Sequence, residues 1–116
     1  MKRQKAERGG RRAERLAAWW LRLKGWRILA VRARTPVGEV DIVARRGRIL
    51  AFVEVKARGR EEDAALALDE WRLRRVARAA AALAPRYARA GDDVRIDAMF
   101  IVPRRLPRHL TNVWHG

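Results

Sequence analysis

The sequence predicts an α/β domain whose elements follow the order helix, three antiparallel strands, helix, final strand. Apolar residues recur at helical spacing over 11–24 and again over 69–83. Runs rich in β-branched and apolar residues over 26–34, 40–44 and 49–55 are separated by the turn segments Thr35-Pro36-Val37-Gly38 and Arg46-Gly47-Arg48. The most apolar stretch, 94–102, lies beyond the second helix and suits the interior of a sheet. At 116 residues the chain supports one domain with a modest core. Residues 1–8, with Lys2, Arg3, Lys5 and Arg8 ahead of Gly9-Gly10, read as a basic arm, and 9–116 as the folded unit.

In the first helix Ala13, Leu16, Ala17, Trp20 and Leu23 form the expected buried stripe, with Gly25 as the C-terminal stop. Glu14 lies one position from that stripe, so a helix crossing the sheet would bring it to the strands; the other reading is a solvated Glu balanced by Arg11 or Arg15. The first strand alternates Ile28, Ala30 and Arg32 against Leu29, Val31 and Ala33. The second helix takes Asp69 as its N-cap and buries Leu68, Leu73, Val76, Ala80 and Leu83. Its other face carries Arg72, Arg74, Arg75 and Arg78, and Pro85 ends or kinks it. Asp97 interrupts the final strand. Because buried acids are normally paired, it reads as the partner of a buried Arg or of backbone rather than as a ligand.

The charges inside the hairpin carry the chemistry. Alternation puts Glu39 and Asp41 on one face of its first strand and Glu54 and Lys56 on one face of its second. With Gly47-Arg48 as the loop, Asp41 falls opposite Glu54; with Arg46-Gly47, Glu39 does. In either case like charges whose Cβ atoms are roughly 4.5 to 5.5 Å apart repel unless something offsets them. A divalent cation would, since Mg²⁺ takes carboxylate oxygens and keeps waters and a substrate phosphate in its shell. Lys56 would then sit beside the phosphate, orienting water or steadying the growing charge. The plainer reading makes Lys56 the counter-ion of a structural cluster. Glu39, at the start of its strand, is a supporting acid. After the hairpin, Arg58 in the 57–62 loop and the Arg72 and Arg75 face of the second helix are placed to hold phosphates.

A net charge of +15, from 28 basic against 13 acidic residues, argues for a polyanionic partner, with nucleic acid first. Among five Trp residues, Trp19 and Trp71 fall off the apolar stripes, where they could stack on unpaired bases. The absence of Cys removes disulfides and thiolate metal sites and fits a cytoplasmic setting. No stretch approaches the ~18 to 20 apolar residues of a membrane span. His109 and His115 lack companions at zinc spacing, and no Ser-His-Asp order, Cys-His order or phosphate-cradling Gly loop is present.

Asp41, a hairpin, then Glu54-Val55-Lys56 resembles the catalytic core of the restriction-endonuclease-like nucleases. The fuller wording, Gly38-Glu39-Val40-Asp41-Ile42-Val43-Ala44 and then Phe52-Val53-Glu54-Val55-Lys56-Ala57-Arg58, is similar to the YraN family, small bacterial proteins akin to archaeal Holliday junction resolvases. The resemblance runs from Gly9 to Trp114. It implies a restriction-endonuclease-like core, with a central mixed sheet of about four strands flanked by helices. It further implies a Mg²⁺- or Mn²⁺-dependent endonuclease for branched or irregular DNA, in preference to RNA. Asp41, Glu54 and the Val55 carbonyl would bind the metal, Glu14 would complete the shell, and Lys56 would position water or phosphate. Related resolvases act as dimers, so a homodimer is implied as well. The alternative is a nucleic-acid-binding module that keeps the fold without the cleavage.

Overall fold

The computed structural model describes residues 2–57 and 70–115, with side chains of the first helix described from Gly10 onward. Its elements are α1 (Lys2–Leu23), β1 (Arg27–Thr35), β2 (Gly38–Arg46), β3 (Ile49–Ala57), α2 (Glu70–Tyr87), β4 (Asp93–Ile101) and β5 (Arg108–Leu110). The strands form one mixed sheet in the order β1-β2-β3-β4-β5. All neighbours are antiparallel except β3 and β4, which run parallel from Ile49↔Asp93 to Ala57↔Ile101. Parallel neighbours need a long crossover, and the segment containing α2 supplies it.

Each helix covers one face. Leu73, Val76, Ala79, Ala80 and Leu83 of α2 pack with Val40, Val43, Leu50, Phe52 and Ile96. Ala17, Ala18 and Leu21 of α1 pack with Ile42, Ala44, Ala51, Val53 and Met99. The α2 stripe is the expected one from Leu73 onward; Leu68 and the Asp69 cap lie outside the described residues. The α1 stripe is met in part. Ala13 and Ala17 are buried and Trp20 packs against the core, but Leu16 and Leu23 are 44% and 58% exposed, and Ala18 and Leu21 are buried instead. Small side chains let α1 lie close to the sheet, with Leu16, Trp19 and Leu23 turned outward.

Helix α1 begins at Lys2 and runs through Gly9-Gly10. Pro85 lies in the last turn of α2, which ends two residues later at Tyr87, in line with the expected stop. Two further expectations need correction. The sheet has five strands, since Arg108–Leu110 pairs antiparallel with Ala98–Phe100. The alternation expected for β1 breaks at a bulge between Ile28 and Ala30, where Leu29 and Ala30 both pack toward α2.

The hairpin loop is Gly47-Arg48, since Arg46 pairs with Ile49, and Gly47 has φ of 61°. Arg45 locks this end. Its guanidinium donates to both oxygens of Asp92 at 2.8 and 2.6 Å and to the Tyr87 carbonyl at 3.0 Å, and the Arg89 N–H also donates to Asp92. The Arg45 hydrogen bond, then the Arg89 N–H, hold the Asp92 carboxyl down at about 2. At the other end, Gly38 brings β2 against α2. A Cβ there would lie 3.5 Å from that of Ala79 and 3.6 Å from the Arg75 carbonyl, at a φ of +151° that side chains avoid.

Candidate functional site

The hairpin opens where its acids lie. Pairing of β2 with β3 runs from Arg46↔Ile49 to Ile42↔Val53 and stops there, although Asp41 and Glu54 are next in register. Side-chain alternation fails at the same point: Val40 and Val43 both pack toward α2, while Ile42 and Ala44 pack toward α1. An odd spacing on one face means that Asp41 is taken out of the pleat. Its carboxylate accepts the Val55 N–H at 2.7 Å, replacing the lost ladder partner with a side-chain oxygen. Across the sheet Arg32, opposite Asp41 on β1, has φ of 56°, a left-handed conformation costly for a residue with a Cβ.

Glu54 and Lys56 keep the alternation and face α2. Their side chains, both nearly buried, form an ion pair of 2.6 Å through Glu54 Oε1. Among the described residues Glu54 Oε2 is buried with no hydrogen-bond partner. The two residues line a cavity of about 290 Å³ with Glu39, Trp71, Arg72 and Arg75. The expectation that Asp41, Glu54 and Lys56 share one face is therefore met by the last two; Asp41 approaches from the plane of the sheet. Burial pushes the Asp41 carboxyl up to about 7; the Val55 N–H opposes this, and the nearby Glu54 and Glu14 carboxylates add to it.

Glu14 reaches the same neighbourhood from α1, yet its carboxylate is held by Arg32, with Nε to Oε2 at 2.6 Å. Glu39 is exposed and lies 3.7 Å from Arg34 Nε. Arg58 falls outside the described residues. Arg72 and Arg75 stand on the cavity's α2 wall. Trp19 and Trp71 are exposed as expected, at 59% and 63%, and Arg75 lies 5.2 Å from the Trp71 ring centroid.

Sequence reasoning missed Arg32. The Glu14 hydrogen bond leads in raising its guanidinium pKa, and the Glu39 and Asp41 charges add to it. It is the cation that holds Glu14, as Lys56 holds Glu54. A charged residue in the middle of an apolar strand was the available signal.

The donor set suits a divalent cation in part. Among the described residues no three His, Cys, Asp or Glu side chains stand close enough to hold an ion, and Glu14 is engaged by Arg32. Asp41 and the unpartnered Glu54 oxygen remain, and Mg²⁺ is ordinarily held by one or two carboxylates with water and phosphate completing its shell.

These features define an α/β protein with a mixed sheet and an acid and lysine cluster where its central hairpin opens. Residues 13–101 match the model of Uncharacterised protein family UPF0102. The chain belongs to that family, which bears out the resemblance to YraN proteins. A UPF0102 protein of Sphingopyxis alaskensis is 67% identical over 114 residues, covering 98% of each chain. One of Rhizorhabdus wittichii is 63% identical over 99% of this chain and 98% of its own. One of Caulobacter vibrioides is 48% identical over 96% and 90%.

Proposed function

We propose that this protein is a Mg²⁺- or Mn²⁺-dependent endonuclease that hydrolyses phosphodiesters in branched or otherwise irregular DNA. The observation that carries the reading is the buried, unpartnered Oε2 of Glu54, beside the Lys56 ammonium and within electrostatic reach of Asp41. An uncompensated buried carboxylate oxygen is costly, so its persistence here calls for an electropositive ligand. Asp41, Glu54 and the Val55 carbonyl would hold the ion, with Glu14 joining only by releasing Arg32. Such an ion neutralises phosphate charge and makes water a stronger nucleophile. Lys56 orients the phosphate and stabilises its developing charge, while Arg72 and Arg75 guide the backbone toward the cavity. Cutting both strands of a junction needs two sites, which a homodimer would provide.

Cleavage of branched, nicked and single-stranded DNA in Mn²⁺ tests the reading. Lys56→Ala should lower the rate on the order of 10² to 10³-fold, the usual effect of removing one group that stabilises developing charge. Asp41→Asn should lower it at least as far. Activity that survives both substitutions would move the chemistry to another site.

A second reading, a binding module without cleavage, is favoured by the two internal ion pairs, Lys56 with Glu54 and Arg32 with Glu14. It predicts salt-dependent DNA binding that Asp41→Asn leaves unchanged or tightens, with no cleavage in any metal.

A further inference from the structure

We propose that Trp71 is a stacking platform for one unpaired nucleobase, so that the cavity beside Lys56 receives single-stranded or locally unpaired DNA in preference to intact duplex. The inference rests on the nuclease reading for the identity of the polyanion and narrows its substrate.

Trp71 is 63% exposed and stands outside the buried row of its helix, Leu73, Val76, Ala80 and Leu83, so packing does not account for it. A lone exposed aromatic would mean little. This one lines the same cavity as Glu54 and Lys56. Arg75, one turn further along α2, holds its guanidinium over the ring at 5.2 Å from the centroid, which favours one ring orientation. The cavity thus combines an indole surface with the cations Lys56, Arg72 and Arg75, which matches the two halves of a nucleotide: a flat base and a phosphate. In a duplex both faces of a base are covered by its neighbours, and freeing one costs a few kcal/mol. A base already free enters without that cost.

The test separates binding from cleavage. Asp41→Asn protein in chelator is titrated with a short oligo(dT) and with a blunt duplex of equal length. Adding Trp71→Ala should weaken oligo(dT) binding on the order of tenfold and duplex binding less than twofold. Trp71→Phe should keep most of the affinity, whereas Trp71→Leu, apolar but without a π face, should lose as much as Ala. This last pair decides the matter if the Ala variant fails to fold. An abasic residue scanned along the oligomer should show one position where loss of the base costs as much as Trp71→Ala, and costs nothing further in that variant. Equal losses on both ligands, or the absence of such a position, would overturn the inference. Because no step requires cutting, a protein that passes this test yet never cleaves would remove the nuclease reading alone.

Discussion

At pH 8 and without divalent cations, Asp41→Asn should be more stable than the parent protein by up to about 4 kcal/mol. The folded-state carboxyl titrates at about 7, against an ordinary value of 3.8. Between those values the folded protein holds a proton that the unfolded chain has released. Stability therefore falls as pH rises through that window, and above it the whole penalty is present. Roughly three pH units at about 1.4 kcal/mol each give the stated figure. Asn keeps an oxygen for the Val55 N–H and carries no charge, so it removes the penalty and retains the hydrogen bond. Urea unfolding at pH 4 and at pH 8 should give a difference near zero at the first and largest at the second. A gap that does not change with pH would mean that the carboxyl titrates normally and that its burial is relieved some other way.

The same substitution should lose most of that advantage in Mn²⁺. A cation that binds only the folded protein stabilises it by about 2.7 kcal/mol at a hundredfold excess over its dissociation constant. The ion also favours the ionised form of Asp41, so the parent gains most at high pH, where the burial penalty is largest. Asp41→Asn should gain little. Calorimetric titration of both proteins with Mn²⁺ measures this directly, and equal binding by the two would exclude Asp41 as a ligand.

How much of this was legible depends on the range of each interaction. The hairpin, a turn within Arg46-Gly47-Arg48 and the shared face of Glu54 and Lys56 follow from alternation and turn chemistry within one short segment, which left two loop registers open until Arg46 was seen to pair with Ile49. The α2 stripe follows from periodicity alone. The face of α1 was legible only in part: Ala13 and Ala17 are buried as expected, but Ala18 and Leu21 are buried in preference to Leu16 and Leu23, and only the sheet beneath decides in favour of close approach. Asp41 leaving the pleat was equally out of reach: strand alternation assumes an unbroken ladder, and the break is visible only once Val55 N–H is seen to take a side-chain partner. Arg32 belongs with it. Its positive φ and its hold on Glu14, 18 positions away in the chain, are tertiary features that no local pattern encodes.

Asp97→Ala should destabilise the fold by about 3 to 5 kcal/mol, the cost of removing one member of a buried ion pair. Asp97 is fully buried and accepts from Arg95 Nε at 3.0 Å and from the Asn112 N–H at 2.9 Å, with His109 Nε2 at 2.7 Å. Burial alone would raise its pKa; the hydrogen bonds from His109, Asn112 and Arg95 outweigh that and lower it. Its oxygens are occupied, which accounts for a structural role and leaves none for a metal. The network also ties the chain end to the sheet: Arg95 and Arg46 lie against the Trp26 ring at 5.5 and 4.8 Å, and His109 meets the ring edge at 5.8 Å. Without Asp97, Arg95 is left as a part-buried cation and β5 loses its anchor beside β4. The loss should be complete at neutral pH and shrink below the ordinary carboxylate range, where protonation begins to remove the same charge from the parent. Hydrogen exchange should report it first at the Asn112 and Val113 amides, the latter bonded to the Ile96 carbonyl at 2.8 Å. A loss under about 1 kcal/mol would mean that the surrounding donors find other acceptors and that Asp97 is free for other work.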